Sequence, residues 1–433
     1  MARRRHQRRP KGTEVSPLLF RRLRDFLLYD VVAWLPGSAL EAVEATCKRL
    51  AAMLSEKKGA GLLRIRRFEV GCAEEGIIAL VAPKNSIRPV WDVVGITPGF
   101  GKCWRRERTR QQPDAAIAAL EHELFVVGGQ PDHVAHGAMA TVKCYDARDD
   151  EWFDLPPLKH ARRRCGCAFV DGRLVVAGGL DADCKPVLEV EIFDPDSQSW
   201  GSLPSLPVHA WARDGGEFVP SYFGRSSSLL VVGKKLFLLN TAHRICHLFC
   251  LHDAQTWREC SPMPEYAAPY LCHQAISTVV FDRRIYVILQ RHTGDTTMVE
   301  GLRVYDPDLD DWTAKSRPPT LDSYGTRLKA PVCPDGRGRD DSTQFLLVLR
   351  DRLTLVSSAL EAAYFDPNTE TWTSPTPLIP HHRYPFNTCQ CRLCTTSWTD
   401  HHPRTTDKQY SLKLCRRFTD HNYLVSASTL RLF

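Results

Sequence analysis

"GRLVVAGGLDADCKPVLEVEIFDPDSQSW", residues 172–200, runs an apolar segment into a Gly-Gly pair, a second apolar segment into Asp-Pro, and then reaches a lone Trp. Residues 123–152, "ELFVVGGQPDHVAHGAMATVKCYDARDDEW", keep the same order. Aligning the chain on tryptophan extends the pattern: Trp104, Trp152, Trp200, Trp257, Trp312 and Trp372 follow one another at intervals of 48, 48, 57, 55 and 60 residues. Six residues before four of them stands an Asp preceded by an aromatic, as Tyr145-Asp146, Phe193-Asp194, Tyr305-Asp306 and Phe365-Asp366. A period near fifty, with several short strand-like runs per unit, is the signature of propeller blades.

Each feature has a backbone reason. The runs "LFVVGG", "LVVAGG", "LFLLN", "IYVIL" and "LTLVSS" are continuously apolar because blades pack face to face and bury both sides of a sheet. The Gly pair permits conformations and approaches that a Cβ forbids. Asp begins a turn by accepting hydrogen bonds from its own downstream backbone, and Trp supplies an apolar wedge between blades. Residues 165–203 read as four strands in a meander, so tight turns fall on one face of the disc and longer loops on the other.

The double glycine followed by Tyr and Trp resembles the kelch repeat. The units ending at Trp152 and Trp200 match it closely, and those ending at Trp257, Trp312 and Trp372 lack the Gly pair. The unit ending at Trp104 has only three strands, and Phe386 to Leu393 is the expected missing strand that closes a six-bladed ring. The expected fold is therefore mainly β, a six-bladed kelch-type β-propeller preceded by a small all-α F-box-like segment.

That preceding segment differs in kind. The chain opens with "MARRRHQRRPK", which holds six of the seven net positive charges of the 433 residues. The remainder is close to neutral, which argues against a basic nucleic-acid-binding surface on the domains. The arm reads as a solvated tail, with nuclear import as a second use. Leu23 to Lys57 reads as helices: Pro36-Gly37 interrupts them, Ser38 and Glu41 have capping-box spacing, and Leu40, Val43, Cys47, Leu50 and Leu54 recur on one face.

Residues 27–54, with "LLYDVV", "WLP", "AL" and "TCKRL", resemble an F-box, the motif that docks on a Skp-type adaptor of cullin-RING ubiquitin ligases. Leu28 and Leu50 stand where that family usually has Pro and Trp. The resemblance implies an adaptor surface formed by Leu27, Leu28, Val31, Leu35, Pro36, Leu40, Val43 and Leu50. An F-box before kelch blades is a familiar plant architecture. The boundaries read as a basic arm over 1–20, the helical motif over 21–58, a linker over 59–70, the propeller over 71–393, and a tail over 394–433 with no structural reading.

Catalysis finds little support. The aspartates sit mostly in turns, and no Gly-x-Ser-x-Gly, His-Glu-x-x-His, Walker or dinucleotide pattern occurs. No enzyme activity, cofactor or metal is assigned. The sixteen cysteines read as buried reduced thiols in a chain with no apolar leader or transmembrane run, hence cytoplasmic or nuclear. The tail cluster Cys389, Cys391 and Cys394, near His381, His382, His401 and His402, has enough donors for zinc but no established finger spacing.

The resulting expectation is a non-catalytic substrate receptor of an SCF-type ligase, binding the adaptor with its helices and a target protein with its propeller. The alternative is a kelch scaffold without ubiquitin transfer. The target site is expected on the long-loop face, at Arg163, Trp211, Arg213, Tyr266, Tyr270, Tyr324 and Arg327, because Arg, Trp and Tyr dominate binding hot spots.

Overall fold

A computed structural model describes residues 24–35, 37–55, 57–73, 75–83, 90–97, 102–110, 112, 114–131, 137–207, 226–242, 245–252, 256–263, 276–293, 296–319, 344–357, 361–377 and 422–431. The chain divides into an N-terminal unit, residues 1–73, and a β unit that follows from Glu74.

The N-terminal unit is built from α1 (Asp25–Ala33), α2 (Gly37–Thr46), α3 (Lys48–Ser55) and α4 (Lys57–Glu69). Leu28, Val32, Ala33, Leu40, Leu50, Met53, Leu54 and Leu63 form its core, with Tyr29, Leu35, Val43 and Val70 packed around them. Residues 59–70, expected to be a linker, thus lie mostly within a helix. Its decisive side chain is Arg67, 1% exposed, whose guanidinium donates to the carbonyls of Ala33, Leu35 and Cys72 at 3.2, 2.5 and 2.8 Å. It satisfies backbone acceptors left over at the end of α1. Arg66 Nε donates to Asp30 Oδ1 at 2.6 Å and Arg49 Nε to Asp25 Oδ1 at 3.0 Å, tying α4 and α3 to α1.

The β unit is a propeller of antiparallel sheets. Five are contiguous blades whose first three strands are Ala116–Leu120, Glu123–Val127 and Val142–Asp146; Gly166–Val170, Arg173–Ala177 and Val190–Asp194; Ser226–Val232, Lys235–Ala242 and Ile245–His252; Ile276–Phe281, Arg284–Thr293 and Thr296–Asp306; and Gln344–Leu349, Arg352–Ser357 and Glu361–Asp366. Their outer strands are Glu151–Leu155, Ser199–Leu203, Thr256–Glu259, Asp311–Lys315 and Thr371–Trp372. The expected count of six blades is thus corrected to five, because the further sheet is composite, ordered Asn422–Arg431, Glu75–Pro83, Val90–Thr97 and Lys102–Arg110, and no contiguous stretch builds it.

The composite sheet corrects an expectation. The strand beside Glu75–Pro83 is Asn422–Arg431, with Ile77 opposite Thr429 and Pro83 opposite Asn422. Phe386 to Leu393, expected in that role, lie outside the described residues, and the expected tail supplies the closing strand. The first strands of successive blades contact one another in order, and Asn422–Arg431 contacts both Ala116–Leu120 and Gln344–Leu349. Both ends of the β unit therefore meet in one sheet, which removes exposed first-strand edges.

The apolar core is a series of layers between neighbouring blades. Phe125, Cys144, Cys165 and Trp200 share one; Val175, Leu229, Leu238 and Leu251 the next. Phe237, Val287, Tyr305 and Trp312 share a third, and Tyr286, Leu302, Leu355 and Phe365 a fourth.

The repeat residues now have places. Tyr145, Phe193, Tyr305 and Phe365 lie directly across the strand pair from Trp152, Trp200, Trp312 and Trp372, with ring centroids 5.3, 5.2, 5.0 and 5.1 Å apart. Trp200, Trp257, Trp312 and Trp372 each donate the indole N–H to the preceding blade, at the carbonyls of Pro156, Pro204, Ser261 and Ser316. Every acceptor lies four residues after the preceding blade's Trp, just past the outer strand. Among the described residues, Trp152 Nε1 is buried without an acceptor. Its equivalent acceptor would be Arg108, four residues after Trp104, but that residue is still inside the long strand Lys102–Arg110.

Candidate partner-docking surfaces

On α1 the apolar residues divide between two faces. Leu28 and Val32 are 0% and 2% exposed, whereas Leu27, Val31 and Trp34 are 38%, 48% and 66% exposed. Spacings of four and three residues place the exposed three on one stripe of α1 and its C-terminal turn. Phe26 and, on α4, Leu62 are also exposed. Large apolar side chains held out by a helix whose opposite face is fully packed form a surface suited to a protein partner.

The expected adaptor residues separate accordingly. Leu27 and Val31 lie on the open stripe. Leu28, Leu40 and Leu50 are core, and Leu35 and Val43 pack against that core, so these five build the surface's support instead of the surface. The Pro36 side chain lies outside the described residues. Phe26 and Trp34 were missed because helical periodicity was read for its buried stripe, and Trp34 also falls beyond the last helical residue of α1.

The long-loop face of the propeller is described in part. Trp211, Arg213, Tyr266, Tyr270, Tyr324 and Arg327 lie outside the described residues. Arg163 is described, and it is a packing residue only 6% exposed. Its Nη1 donates to Gln130 Oε1 at 3.1 Å and its Nη2 to Cys184 Sγ at 3.0 Å, with Asp114 Oδ2 3.9 Å away. Its backbone pairs with Leu180. Arg163 therefore holds loops of neighbouring blades together, which corrects its assignment as an exposed target contact. The loop cluster gives both of its terminal nitrogens an acceptor, which keeps the guanidinium inside.

Next to it lies a charged network the sequence reading missed. Arg162 and Glu191 are 0% and 1% exposed, with Nη2 donating to Oε1 at 2.6 Å. Arg162 also donates to the carbonyls of His160, Gly178 and Glu189, and Glu191 accepts the N–H groups of Lys159 and His160. The glycines make this approach possible. A Cβ on Gly128 would stand 2.3 Å from the Arg162 carbonyl oxygen, and one on Gly179 would stand 2.6 Å from that of Arg163. Both glycines also have positive φ.

Of the described cysteines, Cys144, Cys165 and Cys167 are buried free thiols, whereas Cys47 is exposed and Cys72, Cys184, Cys250 and Cys260 are partly buried. The expectation of buried thiols therefore holds only for the first three, and burial pushes Cys165 up to about 11. Such thiols are poor nucleophiles. Cys389, Cys391 and Cys394 lie outside the described residues. Among the described residues, His122, Glu123 and Asp146 form a group of metal-capable donors, on the tight-turn face. No described helix is long and apolar enough to cross a membrane.

Comparison with known proteins agrees with this geometry. Residues 161–207 match the model of the Kelch motif. An F-box/kelch-repeat protein of Arabidopsis thaliana is 27% identical over 52% of this chain and 55% of its own length. A second from the same plant is 24% identical over 51% of this chain and 58% of its own. Kelch-like protein 23 of Pongo abelii is 33% identical over 24% of this chain and 18% of its own. The chain thus spans little more than half the length of the plant relatives.

Proposed function

The chain carries kelch repeats and is similar to plant F-box/kelch-repeat proteins, and from that premise we propose that it is the substrate-recognition subunit of an SCF-type E3 ubiquitin ligase. The observation that carries this reading is the open stripe Leu27, Val31 and Trp34 on a separate helical unit ahead of the propeller. In the proposed assembly the stripe binds a Skp-type adaptor, and through it the cullin and RING subunits. The propeller, its five contiguous blades and composite sheet acting as one ring, holds a target protein on the long-loop face. The subunit is not itself an enzyme. It raises the effective concentration of target lysines at the charged E2 enzyme. Such a receptor works in the cytoplasm or nucleus.

The test is co-purification with a Skp adaptor. Leu27→Asp with Val31→Asp places two charges on exposed positions, so the helical unit should stay folded, keeping its circular dichroism and melting, while adaptor capture falls at least about tenfold. Full capture by the double variant overturns the docking surface. Full capture by a chain lacking residues 1–60 overturns the ligase reading and favours a kelch scaffold of another class.

A further inference from the structure

In four contiguous blades the second strand opens on a basic residue, Arg173, Lys235, Arg284 or Arg352. In the blade of Arg284 that residue faces the aspartate ending the third strand, and Arg284 Nε donates to Asp306 Oδ2 at 3.0 Å. The blade of residues 116–155 departs from this rule. There the second strand opens on Glu123, directly opposite Asp146. Two carboxylates facing each other across an antiparallel pair repel, and neither is fully solvated. The Asp146 side chain is nine-tenths buried.

His122 precedes Glu123, and one donor atom from each of His122, Glu123 and Asp146 lies within 4.8 Å of the others. Asp146 Oδ1 accepts the N–H groups of Arg148 and Asp149 at 2.7 and 3.2 Å. Its other oxygen, Oδ2, stands 3.8 Å from His122 Nε2 and 3.5 Å from Arg148 Nη2. Arg148 is held more closely by Asp149, through Nη2 at 3.0 Å and Nε at 3.3 Å. It can stay on Asp149 while another cation takes Oδ2. Burial, above all, raises the Glu123 carboxyl, with Asp146 and Glu121 adding to the effect and His122 and Arg148 opposing it.

We propose that His122, Glu123 and Asp146 form a divalent-cation site in which a bound metal ion supplies the positive charge that Arg284 supplies against Asp306 in its own blade. One imidazole and two carboxylates are the donor set of a borderline ion such as Zn²⁺, with water completing the coordination. The role is structural: the ion pins the turn at His122 to the end of the third strand and cancels the Glu123–Asp146 repulsion. The site stands on the turn face of the propeller, away from the long-loop face assigned to the target.

The experiment is a Co²⁺ titration of the purified full-length chain followed by visible absorption. A site of nitrogen and oxygen donors gives ligand-field bands without the near-ultraviolet thiolate charge-transfer band that a cysteine site elsewhere in the chain would produce. The expected result is such a spectrum saturating near one equivalent, and at least about tenfold weaker binding in His122→Ala. Glu123→Arg installs the residue type of the other blades, so it should remove the spectrum while the chain melts no lower than the metal-free wild type. Thiolate-type bands alone, or equal binding by wild type, His122→Ala and Glu123→Arg, would overturn the proposal.

Discussion

At the scale of single residues the tryptophans separate two jobs that one side chain performs together. Trp200 and Trp312, 7% and 6% exposed, wedge between blades and donate their N–H across the blade boundary. Trp312→Ala should cost about 3–5 kcal/mol in urea unfolding, as for other core aromatics. Replacement by Phe keeps most of the wedge and removes the hydrogen bond, so Trp200→Phe or Trp312→Phe should cost about 1 kcal/mol beyond the packing loss. Trp152→Phe should lack that increment, because among the described residues its buried indole N–H has no acceptor to lose. An equal penalty at all three positions would show that the inter-blade hydrogen bond contributes little.

Among the elements, the link between the first and second contiguous blades includes a buried pair of opposite charges. Arg162 and Glu191 are each surrounded by backbone partners, and the Arg162 guanidinium reaches its acceptors at 2.6–3.3 Å. Removing one member leaves the other charged and buried, so Arg162→Ala or Glu191→Ala should each cost about 3–5 kcal/mol. The double replacement should cost less than the sum of the two, because it leaves no orphaned charge. Additive losses in a double-mutant cycle would show that the two side chains stabilise the fold separately. These residues lie in the segment "KHARRRCGC", whose three consecutive arginines look like a solvated run. Arg162 is buried against Glu191, Arg163 is buried among loops, and Arg164 pairs with Asp114 at 2.8 Å.

Over the whole molecule, closure depends on a strand distant in sequence from the one it pairs with. Asn422–Arg431 pairs along Glu75–Pro83, and the backbone N–H of Arg350 reaches Glu75 Oε2 at 2.5 Å from the adjacent blade. Ending the chain at residue 421 should uncover that edge and lower the melting temperature by at least about 5 °C, the equivalent of more than 1 kcal/mol. Replacing residues 386–393 with a Gly-Ser segment of equal length should have a much smaller effect. The reverse ranking in differential scanning calorimetry would restore the earlier segment as the closing strand.

Periodicity, glycine pairs, turn aspartates and tryptophans are local and repeated, so the sequence by itself determined the propeller, the meander within each blade and the separate helical segment. The same local pattern marked Leu27 and Val31 as apolar but could not say which way they face, because a short helix with apolar residues on several sides offers no polar face to orient it. Only the tertiary structure decided that Leu28, Leu40 and Leu50 turn inward and Leu27, Val31 and Trp34 outward. It alone decided the closing strand, since pairing between residues 75 and 431 is a contact across nearly the whole chain and leaves no trace in local composition. Arg163 and the Arg162–Glu191 pair belong to the same class. A charge is buried only where distant backbone groups converge to receive it, and that convergence exists only once the blades have packed.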